Sequence, residues 1–140
     1  MLMATSILIS IQICKYEKYK IIYCDKMIYL ASQVSIFMKS VMPDTDMIFS
    51  YLKNSEKLKD IDIFDINSTS PLNKVENEKI TEYINSIGKY DAQMQIDKST
   101  EFCDSFRLIK KDYQQFYSTH YKLIYAAGFS FGALISILLI

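Results

Sequence analysis

An all-α protein, a helical bundle anchored in a membrane by apolar segments at both ends, is the fold class this sequence predicts. Three observations lead there. All 32 charged side chains fall between Lys15 and Lys122, so residues 1–14 and 123–140 carry none. Three Gly and two Pro are too few for a turn-rich β protein or a disordered linker. Between the ends, apolar residues recur at steps of four and three, the spacing of one helix face.

The first element is the apolar run Leu2 to Cys14, diluted by Thr5, Ser6, Ser10 and Gln12. As a helix it covers about 20 Å, which makes residues 1–14 a short membrane segment. No basic residue precedes it and no small-x-small site follows, which argues against a cleaved signal peptide. The C-terminal run, residues 123–140, spans about 27 Å as a helix, close to a bilayer's hydrocarbon thickness. Tyr121 and Tyr125 sit at an interfacial belt there, and Gly128 and Gly132 form a GxxxG pattern suited to close helix packing. Lys15, Lys18 and Lys20 follow the first run, while Arg107, Lys110, Lys111 and Lys122 precede the second. By the positive-inside rule the body, residues 15–122, lies in the cytoplasm.

Within the body, Tyr23, Met27, Leu30, Val34, Phe37 and Val41 form an a/d stripe on one helix. Pro43 ends that helix and opens the next, where Asp44 and Asp46 face the positive end of the helix dipole. Residues 54–73 include the near-alternating stretch Asp60 to Ile66. A lone strand would have no partner, so this is an irregular or short helical connector. Asn73 and Glu76 have capping-box spacing and start a helix bearing Val75, Ile80, Tyr83, Ile84 and Ile87, with Gly88 as its C-cap. Asp91 caps a last, very long helix striped by Phe102, Phe106, Ile109, Tyr113, Phe116 and His120. Residues 15–41 and 95–122 then pair antiparallel as a stalk, with Val41 near Phe102, Tyr23 near Phe116 and His120 packed low in the seam.

Function classes narrow by chemistry. Sixteen basic and sixteen acidic residues cancel, giving no reason to expect nucleic-acid binding. Cys14, Cys24 and Cys103 make no CxxC pair, and His120 is the sole histidine. No phosphate-binding or nucleophile-elbow motif occurs, so neither a cofactor nor catalysis is expected. Asp60, Asp62 and Asp65 lack the further ligand set a divalent ion would need. Charge is layered: residues 44–104 hold seven Lys against thirteen acids, whereas 15–39 and 105–122 are each net basic. The acidic tip reads either as a solvated face or as a docking surface for a basic partner, with Asp60, Asp62 and Asp65 its candidate residues. The positive base suits anionic headgroups.

The segment Ile87-Gly88-Lys-Tyr-Asp91-Ala-Gln-Met-Gln95 resembles a signature of the stage III sporulation protein AB family, with Tyr90 in place of the usual Ser. The ending from Tyr121 through Gly128 and Gly132 to Ile140 is similar to that family's C-terminal anchor, and Met42 to Phe49 sits where the family has a short turn. The family is similar to the inner-membrane platform protein of type II secretion and type IV pilus machines. The resemblance implies a non-enzymatic assembly component of the channel between mother cell and forespore, required for endospore formation. The implied location is the mother-cell membrane around the forespore. Its implied partners are the sister-operon secretion-type ATPase (stage III sporulation protein AA) and ring-forming channel proteins, with homo-oligomers also possible. Gly88 would permit the bend between the last two helices, Asp91 would cap the long one, and Gln95 would face a neighbour. The alternative from another class is a small membrane-bound regulator or bilayer-acting protein unrelated to secretion.

Overall fold

The computed structural model describes residues 2–40 and 45–139, and among them it is all-α, with no strand. Five α-helices follow in order: α1 Leu2–Ser40, α2 Thr45–Asn54, α3 Ile66–Thr69, α4 Lys74–Ser86 and α5 Ala92–Leu139, with a 3-10 turn at Glu56–Leu58. Val41 to Asp44 lie outside the described residues, and with them the predicted Val41–Phe102 contact and the roles given to Pro43 and Asp44. The chain divides into two compact units, one of Met1–Ile21 with Lys111–Ile140, the other of Ile22–Lys110. The polar segments 15–21 and 111–122 therefore group with the apolar ends, not with the body to which charge had assigned them.

The Ile22–Lys110 unit has an ordinary aqueous core. Tyr23, Met27, Leu30 and Val34 of α1 are fully buried, as the four-three stripe requires, and Ala31 and Cys24 fill the flanks. Ile48 and Leu52 of α2, Ile80 and Ile84 of α4, and Phe106 of α5 are buried in the same unit. Each such side chain removed from water contributes about 1.5–3 kcal/mol. Tyr83, Phe102 and Phe106 form a stacked aromatic column, with ring centroids 4.3 and 4.5 Å apart. Phe37, part-exposed at the end of the stripe, meets Tyr51 edge-on at 4.5 Å.

The connector shows why residues 60–66 nearly alternate without forming a strand. Ile61, Ile63 and Ile66 are buried while Asp60, Asp62 and Asp65 are exposed, a pattern held by turns. The backbone bonds Ile61 N–H to Leu58 O and Asp65 N–H to Asp62 O, both 3.1 Å, are i to i−3 bonds. Pro71 and Leu72 are buried just before α4, whose capping box is complete. Asn73 Oδ1 accepts from Glu76 N–H at 2.9 Å, and Glu76 Oε1 accepts from Asn73 N–H at 3.3 Å.

Pairing of α1 with α5 in this unit is antiparallel, but in a different register from the predicted one. Lys110 Nζ meets Asp25 Oδ1 at 2.6 Å, and the Cys103 thiol reaches Ile28 O at 3.6 Å. Phe116, predicted to fill the seam, is 46% exposed and stacks at 4.2 Å on His120 of its own helix, which is part-buried.

In the other unit the packing logic is inverted. Ser6 Oγ donates to Gly128 O, and Ser10 Oγ lies 3.1 Å from Ser6 O and 3.3 Å from Ile124 O. A Cβ on Gly128 would lie 1.9 Å from Ser10 Oγ and 3.2 Å from Ser6 O, so the missing side chain lets the Ser10 hydroxyl sit where it does. Gly132 is buried one turn on, and Ser136 Oγ donates to its carbonyl at 2.9 Å. The large side chains face outward: Leu8, Ile9, Leu123, Phe129, Phe131, Leu134, Ile137 and Leu138 are all exposed. Only 6% of the most apolar window of α5 is buried.

Candidate functional site

The family-like residues Gly88, Asp91 and Gln95 come together at the turn between α4 and α5. The chain leaves α4 through Ile87 in an extended conformation, and Gly88 follows with φ of 87°, a left-handed position that favours glycine. Its N–H donates to Gln95 Oε1 at 3.1 Å, which ties the start of α5 back onto the turn. Asp91 Oδ1 accepts from Met94 N–H at 2.8 Å, the side-chain cap of α5. The first helical bond, Gln95 N–H to Asp91 O at 2.9 Å, lies one residue beyond.

Gln95 is fully buried, so its partner is Gly88 of its own chain and not a neighbouring molecule as the resemblance implied. Gly88 is also packed on its outer side, where a Cβ would lie 2.0 Å from Thr45 Oγ1 at the start of α2. The three residues thus form a clip joining α2, α4 and α5. Tyr90 is exposed at the rim of a groove of about 440 Å³ between α4 and α5, with Lys98 Nζ 5.9 Å from its ring centroid. Tyr83 and Phe102 form part of the groove's wall, with Lys79, Glu82 and Glu101 also lining it.

Stripe reading missed two polar positions beside this clip, Gln95 and Ser99, both fully buried. Stepping back from Phe106 and Phe102 by four and three lands on Ser99 and Gln95, so the signal was present but carried by polar residues. Ser99 Oγ hydrogen-bonds the Tyr83 hydroxyl, and burial pushes the Tyr83 phenol up from its ordinary value of 10.0. Burial, with the nearby charges of Glu76 and Asp25, likewise raises the Cys24 thiol to about 12. Cys103 moves the same way for the same first cause. Neither thiol is an activated nucleophile.

Asp60, Asp62 and Asp65 share the exposed side of the connector. Asp60 Oδ2 lies 3.7 Å from Lys26 Nζ, and Asp62 Oδ1 accepts from Phe64 N–H at 3.1 Å. Asp65 precedes α3, and its carbonyl accepts from Ser68 Oγ at 2.8 Å. Among the described residues no group of three or more His, Cys, Asp or Glu is placed to hold a metal ion. Gly128 and Gly132, the predicted helix-packing pair, lie in the other unit, and at Gly128 the partner is Ser10 of the same chain.

Both α1 and α5 are long and apolar enough to cross a membrane. No family model, curated protein or solved structure matches the chain.

Proposed function

We propose that this chain is a non-enzymatic, membrane-anchored assembly component that holds a helical cytosolic unit at a bilayer surface. The observation that carries the reading is the contrast in packing. Ser6, Ser10 and Gly128 join the two apolar ends through small residues while large apolar side chains stay exposed, the arrangement a lipid environment favours. In water those exposed groups would be a liability. The Gly88–Asp91–Gln95 clip gives the body a defined shape, and the acidic connector gives it a charged, solvent-facing surface.

Together with the motif order, this supports the more particular reading of a platform component of a mother cell–forespore channel. Such a protein would sit in the mother-cell membrane and dock the sister-operon ATPase. The test is co-purification of the full-length chain with that ATPase from detergent-solubilised membranes, repeated with Asp60, Asp62 and Asp65 all changed to Asn. Capture that weakens on neutralisation supports the platform and sets the docking surface at the connector. Capture that persists moves the surface elsewhere. Absence of capture by membrane-integrated protein sinks the platform reading and leaves the anchored helical unit.

A further inference from the structure

We infer that Lys15, Lys18 and Lys122 form a collar that binds the phosphodiester headgroups of anionic phospholipids. The inference rests on the membrane-anchored reading above and concerns only the unit of Met1–Ile21 and Lys111–Ile140. Its five lysines face two acids, Glu17 and Asp112. Glu17 is taken by Lys20, at 3.2 Å, and Lys20 also lies 5.0 and 5.5 Å from the ring centroids of Tyr16 and Tyr113. Asp112 is exposed and forms no ion pair with any lysine of the unit. The other four ammonium groups are exposed and, among the described residues, have no carboxylate within ion-pair distance. The Ile22–Lys110 unit differs, since Lys26, Arg107 and Lys110 each meet an aspartate there.

Position makes these unpaired cations a site. Ser10 lies opposite Ile124 and Lys18 opposite Tyr117, so Lys15 and Lys122 flank the same level, where the charge-free runs end. Lys18 Nζ is 5.7 Å from the Tyr117 ring and Lys122 Nζ 5.9 Å from the Tyr121 ring, and the two tyrosines stack at 5.5 Å. Amphipathic rings carrying an ammonium are suited to the headgroup layer, apolar body inward and charge outward. Lys111 lies eleven residues from Lys122, about 16 Å farther along α5, and so outside this layer. Phosphodiester anions at this depth would supply the negative charge that the protein omits.

The full-length chain reconstituted into phosphatidylcholine bilayers doped with spin-labelled phosphatidylglycerol or spin-labelled phosphatidylcholine tests the collar. The expected result is a several-fold preference for phosphatidylglycerol that falls with added salt. It should fall stepwise with Lys15→Gln, Lys18→Gln and Lys122→Gln, and change little with Lys20→Gln or Lys111→Gln. Integrated protein without that preference, or a triple variant that retains it, overturns the collar and leaves the anchor standing. Protein that alkaline carbonate strips from the bilayer overturns both.

Discussion

The two units of this chain solve the same problem, holding α1 against α5, by opposite means. In the Ile22–Lys110 unit, Met27, Leu30, Val34 and Phe106 are fully buried, and the charged groups face out. In the unit of the chain ends, small residues carry the contact while Phe129, Phe131 and Leu134 face out. Water rewards burial of large apolar side chains, so the first unit is organised by the hydrophobic effect. Lipid offers no such reward for bringing helices together, so close approach and hydrogen bonds decide the second. One helix pair therefore needs two sequence grammars.

The strongest way to break this contrast is a charge in each unit at stripe positions ten residues apart. Phe106→Asp buries a carboxylate with no partner in the aqueous core, and a loss of about 4 kcal/mol or more is expected. Phe116→Asp places the same group at an exposed site and should cost less than about 1 kcal/mol. Thermal melting followed by helical circular dichroism in detergent separates the two. Equal losses would return Phe116 to the seam.

Gly88→Ala comes next, because it combines a left-handed backbone with collision against Thr45 Oγ1. We expect a loss of about 2–4 kcal/mol, part of it recovered when Thr45→Ala is added. Additive effects in that double-mutant cycle would show that the clip does not touch α2. Gly128→Leu should separate the paired ends at a cost of about 1–2 kcal/mol, whereas Leu134→Ala should leave them paired. Distance measurement between spin labels at Ile7 and Ala127 reads the difference.

The smallest effect is alkaline. A buried phenol with a raised folded-state pKa contributes stability below the unfolded value of 10.0 and loses it as pH rises beyond, because the unfolded chain releases its proton first. Cys24 acts in the same direction from 9.0 toward about 12. The melting temperature should therefore fall between pH 9 and 11, less steeply in Tyr83→Phe, although that variant loses about 1 kcal/mol at neutral pH with the Ser99 hydrogen bond. Parallel alkaline limbs for both proteins would show that Tyr83 is not the group responsible.

Much of the fold was legible because single residue types announce it. The Asn73–Glu76 capping box, the Tyr23–Val34 stripe and the rejection of a strand at 60–66 all depend on local spacing, and local spacing is what a sequence records. The clip was half legible. Gly88 and Asp91 are recognisable as helix punctuation, but nothing at Gln95 marks it as the buried acceptor for the Gly88 amide. Gln95 and Ser99 were missed because polarity conceals membership of a buried stripe.

By itself the sequence determined an all-α chain with uncharged ends, where its helices start and stop, and which faces of them are apolar, because these follow from side-chain chemistry within a few turns. Only the tertiary structure decided the register of α1 on α5, the burial of Gln95 and the engagement of Gly128 by Ser10. The register and the Gly128 contact depend on residues 75 or more positions apart, and the burial of Gln95 on how the α4–α5 turn folds back on itself, while a four-three repeat is satisfied equally well one turn up or down.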